Sequence, residues 1–368
     1  MPPFVPGLEL NRRFFQQVVR PLLADAFPEL RYAAALIGPG SEVIGCDTEM
    51  SVDHDWGPRQ FIFLREEDAG QGDGIAELLS QRLPETFAGY AVSFPPSTAF
   101  SIQALSRPLS GPVRHRVMLV TVRSFVRVLL DYDLDQPLRA ADWLTFPSHA
   151  LGELVKGAVY LDEIGELTAL RERFAWYPHD VWLYLLAAGW QRIGQEEHLM
   201  PRAGSVGDEL GSSLIASRLV RDIINLCFLQ EQQYAPYAKW FGTLFKKLNG
   251  AQELEPLLWR AQQASHWRER TQTLARAYEI LAHRQNALQL CPAQPASASN
   301  FHERPFPVIH AECFAQALLE QITDPQVKHI AAQPLIGNLN QWSDNTDMEG
   351  VPRQKRRHLY PSSPSSSS

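Results

Sequence analysis

Asp53 and Asp55 stand one residue apart in Ser51-Val52-Asp53-His54-Asp55-Trp56, a short way after the small-residue turn Gly38-Pro39-Gly40-Ser41. If the chain is extended from Asp53 to Phe63, both carboxylates point to one face, because a strand repeats every second residue, and His54 points to the other. Two carboxylates on one face repel unless a cation lies between them. A hard divalent ion, Mg²⁺ or Mn²⁺, sharing its oxygen ligands with phosphate oxygens, suits that donor set. The turn at Gly40 and Ser41 lets backbone N–H groups and a hydroxyl approach a phosphate closely. The pattern points to metal-assisted chemistry on a phosphate ester. Arg59, after the Trp56-Gly57-Pro58 bend, is read as a phosphate contact in preference to a partner for Asp55.

The elements that must position these residues follow from apolar patterning. Tyr32 to Ile37 reads as a buried strand and Phe61 to Leu64 as the end of another. Leu8 to Phe27 has helical spacing, Gly74 to Phe87 reads as a helix, and Tyr90 to Phe94 as a short strand. A Pro/Ser-rich loop, Pro95 to Pro112, leads to a strand over Arg114 to Val122 and a helix over Arg123 to Leu130. The expected fold is an α/β palm, a mixed sheet with flanking helices over 1–137, followed by an α-helical substrate domain over 138–350. Asp180 is expected to cap a helix over Val181 to His198, and residues 351–368 to be a disordered tail.

Other candidates lie in the helical region. Lys239, between Tyr237 and Trp240, is placed to reach a nucleotide phosphate as a point charge. Asp208 and Glu209 open a helix, so capping competes with a role as acceptor base or metal ligand. Arg202 either binds an anionic substrate or braces the loop. Asn340, Gln341, Asp344 and Asp347 form a polar loop near the end of the chain.

The chain has 368 residues, 45% of them hydrophobic and 20% charged, with a formal net charge of −7. That length supports two cores, and that charge argues against nucleic acid as a partner. The four cysteines are scattered, which leaves structural zinc and a disulfide framework without support. No apolar run approaches the ~20 residues of a membrane span, so a cytoplasmic protein is expected. The oligomeric state is not legible.

The Gly-Ser … Asp-x-Asp arrangement resembles the signature of the DNA-polymerase-β-like nucleotidyltransferase superfamily. In layout, a palm followed by helices, the chain is similar to the aminoglycoside-type nucleotidyltransferases. A closer resemblance is to an uncharacterised domain-of-unknown-function family of that superfamily. It is carried by Gly40 to Gly45, Asp53 to Arg59, Trp176 to Trp182, Gly207 to Ser212, Tyr234 to Phe241 and Gly337 to Asp344. The resemblance implies Gly40 and Ser41 on the phosphates, Asp53 and Asp55 on metal, and an NTP, with ATP the expected one, as co-substrate. A nucleoside monophosphate would pass to the hydroxyl of a small molecule. One departure stands out: the strand from Arg114 to Val122 contains no acid, and Met118 and Val120 occupy the places where the superfamily carries a third carboxylate. Asp47 or Glu49 is a substitute to consider. The alternatives are a catalytically degenerate nucleotide-binding or regulatory protein, or transfer to a protein target.

Overall fold

The computed structural model describes residues 3–53, 56–94 and 112–361, with Asp53 described in its backbone alone. The chain divides into two compact units. The first combines Met1–Pro137 with Ala150–Ala175, and the second combines Leu138–His149 with Trp176–Ser368.

The first unit is built on a four-stranded mixed sheet. Its strands are β1 (Tyr32–Leu36), β2 (Arg59–Leu64), β5 (Arg116–Val120) and β6 (Ala158–Asp162), with β3 (Thr86–Phe87) and β4 (Tyr90–Ala91) forming a separate hairpin. The order is β5-β2-β1-β6, with β2 and β5 parallel and the other pairs antiparallel. Side chains leave β2 on alternate faces, as the period of two requires. Ile62 and Leu64 join Phe14, Phe15, Val19, Ile75 and Leu79 in one core cluster. Phe61 and Phe63 meet Phe125 at centroid distances of 5.1 and 5.4 Å. Helices Gly7–Phe14, Arg20–Ala26 and Gly72–Arg82 therefore serve one face, and Val122–Leu130 the other.

Five findings depart from the sequence reading. The helix read as far as Phe87 ends at Arg82, with Thr86–Phe87 a strand. β2 begins only at Arg59, and Glu49–Asp53 is a 3-10 helix, so the chain from Asp53 to Phe63 is not one extended run. The Gly57 backbone, at φ 141°, separates the two. The sheet also gains β6, an edge strand from beyond the expected domain boundary. The helix after Pro178 starts at His179, and Asp180 does not cap it. Its Oδ2 instead accepts from the Thr323 and Asp324 N–H groups. Finally, Arg353–Arg357 is helical, with Arg353 and Arg356 buried, so this part of the expected tail is ordered by ion pairing to Asp142. Residues 362–368 lie outside the described residues, as does the Pro95–Gly111 part of the Pro/Ser-rich loop.

The second unit is largely helical. Helix His179–Glu196 is buried nearly all round from Val181 to Trp190, as expected of an element at the centre of a helical array. Trp190 stacks on Phe314 at 4.4 Å and donates from Nε1 to Gln285 Oε1 at 3.0 Å. Helices Glu209–Gln230 and Ala311–Leu319 pack against that central helix, Trp267–Ala287 packs against Glu209–Gln230, and β7 (Ser299–Phe301) pairs with β8 (Arg304–Val308). Among the described residues no helix is long and apolar enough to cross a membrane.

Candidate functional site

The turn that leaves β1 is fixed on several sides within the first unit. Gly38, at φ 82°, donates its N–H to the Glu153 carbonyl at 2.9 Å. Val43 donates to Gly40, Cys46 donates to Ser41, and Gly157 donates to the Val43 carbonyl at 3.0 Å. The N–H groups of Gly40, Ser41 and Glu42 make no hydrogen bond among the described residues. Three consecutive amides without an acceptor are what an anion-binding turn offers.

Arg59 lies beneath that turn. Its Nε and Nη2 donate to Glu42 Oε1 at 2.8 and 2.6 Å, and Nη2 also donates to the Pro39 carbonyl at 2.7 Å. Read from the sequence as a phosphate contact, Arg59 is here engaged by the turn itself. Its backbone N–H is held by Asn11 Oδ1 at 2.6 Å, and Asn11 Nδ2 donates to the Gly7 and Gly57 carbonyls. Glu42 and Asn11 were missed from the sequence. An acid directly after Gly-Ser and a lone Asn in an amphipathic helix carry no periodic signal. Asp47, considered as a substitute acid, accepts from the Gly7 N–H at 2.7 Å and from Trp56 Nε1 at 3.1 Å, so it ties the N-terminal helix to the loop.

The side chain of Asp53 and the whole of His54 and Asp55 lie outside the described residues. Among the described residues no group of three or more His, Cys, Asp or Glu is arranged to hold a metal ion. On the neighbouring strand, Met118 and Val120 are paired in register with Phe61 and Phe63 and are buried.

Lys239, Asp208, Glu209 and Arg202 belong to the second unit. Lys239 is exposed, with its ammonium 4.8 Å from the Trp240 ring centroid, a cation–π contact. Asp208 caps helix Glu209–Gln230 by accepting from the Gly211 N–H at 2.7 Å. Glu209 accepts from the Trp267 N–H and pairs with the buried Arg270, bracing the start of the next long helix. Its carboxyl is raised by burial, but the Trp267 N–H and Arg270 outweigh that and hold it below its ordinary value. Arg202 lies on the short helix Leu199–Ser205. The polar loop packs inward. Asn340 Oδ1 accepts from the Ser148 N–H at 2.7 Å, Gln341 Nε2 donates to the Leu185 carbonyl, and Asp344 pairs with Arg221.

Residues 143–241 match a family described as a domain of unknown function (DUF4037). No curated protein matches the chain. Among solved structures the chain is similar to a nucleotidyltransferase-like protein from Exiguobacterium sibiricum 255-15. The two share 10% identity and a TM-score of 0.31 over 80% of this chain and 83% of that one. That likeness is too weak to carry the activity, and neither match singles out the aminoglycoside-type enzymes.

Proposed function

We propose that the chain is a nucleotidyltransferase that moves a nucleoside monophosphate from an NTP, ATP being the expected one, to a hydroxyl of a small molecule. The observation that supports this most is the turn after β1, where the N–H groups of Gly40, Ser41 and Glu42 make no hydrogen bond among the described residues. In this reading those amides and the Ser41 hydroxyl hold the triphosphate. Asp53 and Asp55, hard oxygen donors at the spacing of a metal-binding pair, would hold Mg²⁺, which supplies charge neutralisation on the phosphate oxygens. The acceptor oxygen forms a new bond to the α-phosphorus while the bond to the bridging α–β oxygen breaks. Pyrophosphate leaves with that electron pair, and the hydroxyl proton passes to solvent or a base. The chain's own contribution is to fix the phosphates in line with the attacking oxygen.

The second reading is a nucleotide-binding module without transfer activity. It is favoured by Met118 and Val120, buried on β5 where the superfamily pattern has an acid. Pyrophosphate release from each of the four NTPs with Mg²⁺ and pooled small-molecule acceptors separates the two. Transfer predicts release by the native chain and none by Asp53→Asn/Asp55→Asn. NTP-dependent thermal stabilisation without release in any pool contradicts transfer and supports the binding module.

A further inference from the structure

We propose that Glu42 and Arg59 are positioning residues for the polyphosphate. Their buried pair holds the Gly38–Glu42 turn with its amides presented, and it neutralises a carboxylate that would otherwise repel the ligand. This rests on the reading of that turn as the phosphate site. Arg59 is 9% exposed and Glu42 3%, so neither partner is a mobile surface charge. Both Arg59 donors go to Oε1 of Glu42, leaving Oε2 on the side of Gly40, 2.7 Å from where a Cβ on that glycine would stand. That carboxylate borders the turn, and among the described residues Arg59 is the cation paired with it. Both residues are closely packed at their bases. A Cβ on Gly7 would stand 2.7 Å from Glu42 Cβ, and Asn11 fixes the backbone from which Arg59 departs. Replacing such a buried pair by apolar groups is often neutral for stability, so folding alone gives little reason for two charges here. Lysine cannot replace Arg59, because a single ammonium lacks the planar fork that reaches Glu42 and the Pro39 carbonyl together.

The test is calorimetric binding of inorganic tripolyphosphate and of Mg²⁺-ATP to the full chain. It compares the native protein with Glu42→Gln, Arg59→Lys, Arg59→Met and the double variant Glu42→Gln/Arg59→Met, each checked for a cooperative thermal transition. Arg59→Met should weaken binding about tenfold or more, because it leaves the Glu42 charge facing the ligand. The double variant should regain part of that loss, and a loss of binding in variants whose thermal transition stays at the native temperature separates positioning from a purely structural role. If Arg59→Met does not fold, Arg59→Lys carries the same prediction with a smaller loss. Folded variants that bind within about twofold of the native chain overturn the proposal while leaving the phosphate turn intact. A native chain that binds neither probe overturns the phosphate turn and the proposal together.

Discussion

A methyl group at Gly40 would stand 2.2 Å from Arg59 Nη2 and 2.7 Å from Glu42 Oε2, on a backbone with φ 155°. Glycine at this position is demanded by the ion pair below the turn as well as by any phosphate above it. Gly40→Ala is therefore expected to lower stability by about 2 kcal/mol, read as a fall in the urea midpoint. A Gly40→Ala chain of native stability would contradict this packing. Gly157→Ala should cost more. Its Cβ would lie 2.2 Å from the Leu36 carbonyl oxygen, and a strand backbone cannot yield as the far end of an arginine can. The residue types at Gly40 and Ser41 were legible from sequence, since small residues at a strand exit have a local reason. Glu42 and Asn11 were not, because their partners are Arg59 on β2 and carbonyls brought near only by the fold.

Apolar runs made β1, β2 and β5 readable, because a strand buried on both faces is continuous in sequence. β6 was not readable. It is a half-buried edge strand whose pairing with β1 is non-local, and it lies in a stretch read as part of a helical domain. The extended reading of Asp53 failed for a local reason, since Glu49–Asp53 curls into a 3-10 turn before Gly57. At the same scale, helix Glu209–Gln230 carries a buried acid, Asp222, whose Oδ2 makes no hydrogen bond among the described residues and lies 3.7 Å from Arg192 Nη2. Burial pushes its carboxyl up to about 6 from 3.8, against the pull of Arg192 and Arg221, with Glu196 and Asp344 adding to the rise. The folded chain holds that proton more tightly than the unfolded chain. Its contribution is thus fully present below the ordinary value and is lost as pH rises through about 6. Asp222→Asn should reduce the loss of stability between acidic and neutral pH, by at most about 3 kcal/mol, as read from urea midpoints on either side of that window. An unchanged difference would show that Asp222 does not titrate there.

The first unit is discontinuous in sequence, with β6 and Gly157 supplied after an excursion of the chain into the second. A fragment of residues 1–137 therefore lacks the strand that covers β1 and the N–H that holds the Val43 carbonyl. It should not show cooperative melting, whereas a cooperative transition would contradict the division. The C-terminal segment carries a similar lesson. Tyr360 is buried, its hydroxyl donating to the Gly337 carbonyl at 2.8 Å, and Arg353 and Arg357 pair with Asp142. A chain stopped after Val351 should melt at a lower temperature. Sequence periodicity could not reveal this anchor, because it is made by charge and one tyrosine. What the assembled chain does to an NTP is read by following α-labelled and γ-labelled NTP through one reaction with Mg²⁺ and pooled acceptors. Nucleotidyl transfer predicts α-label in an acceptor and γ-label in pyrophosphate, both absent with Asp53→Asn/Asp55→Asn. Release of γ-label as orthophosphate with no α-label transferred, or bound NTP that never turns over, would contradict it.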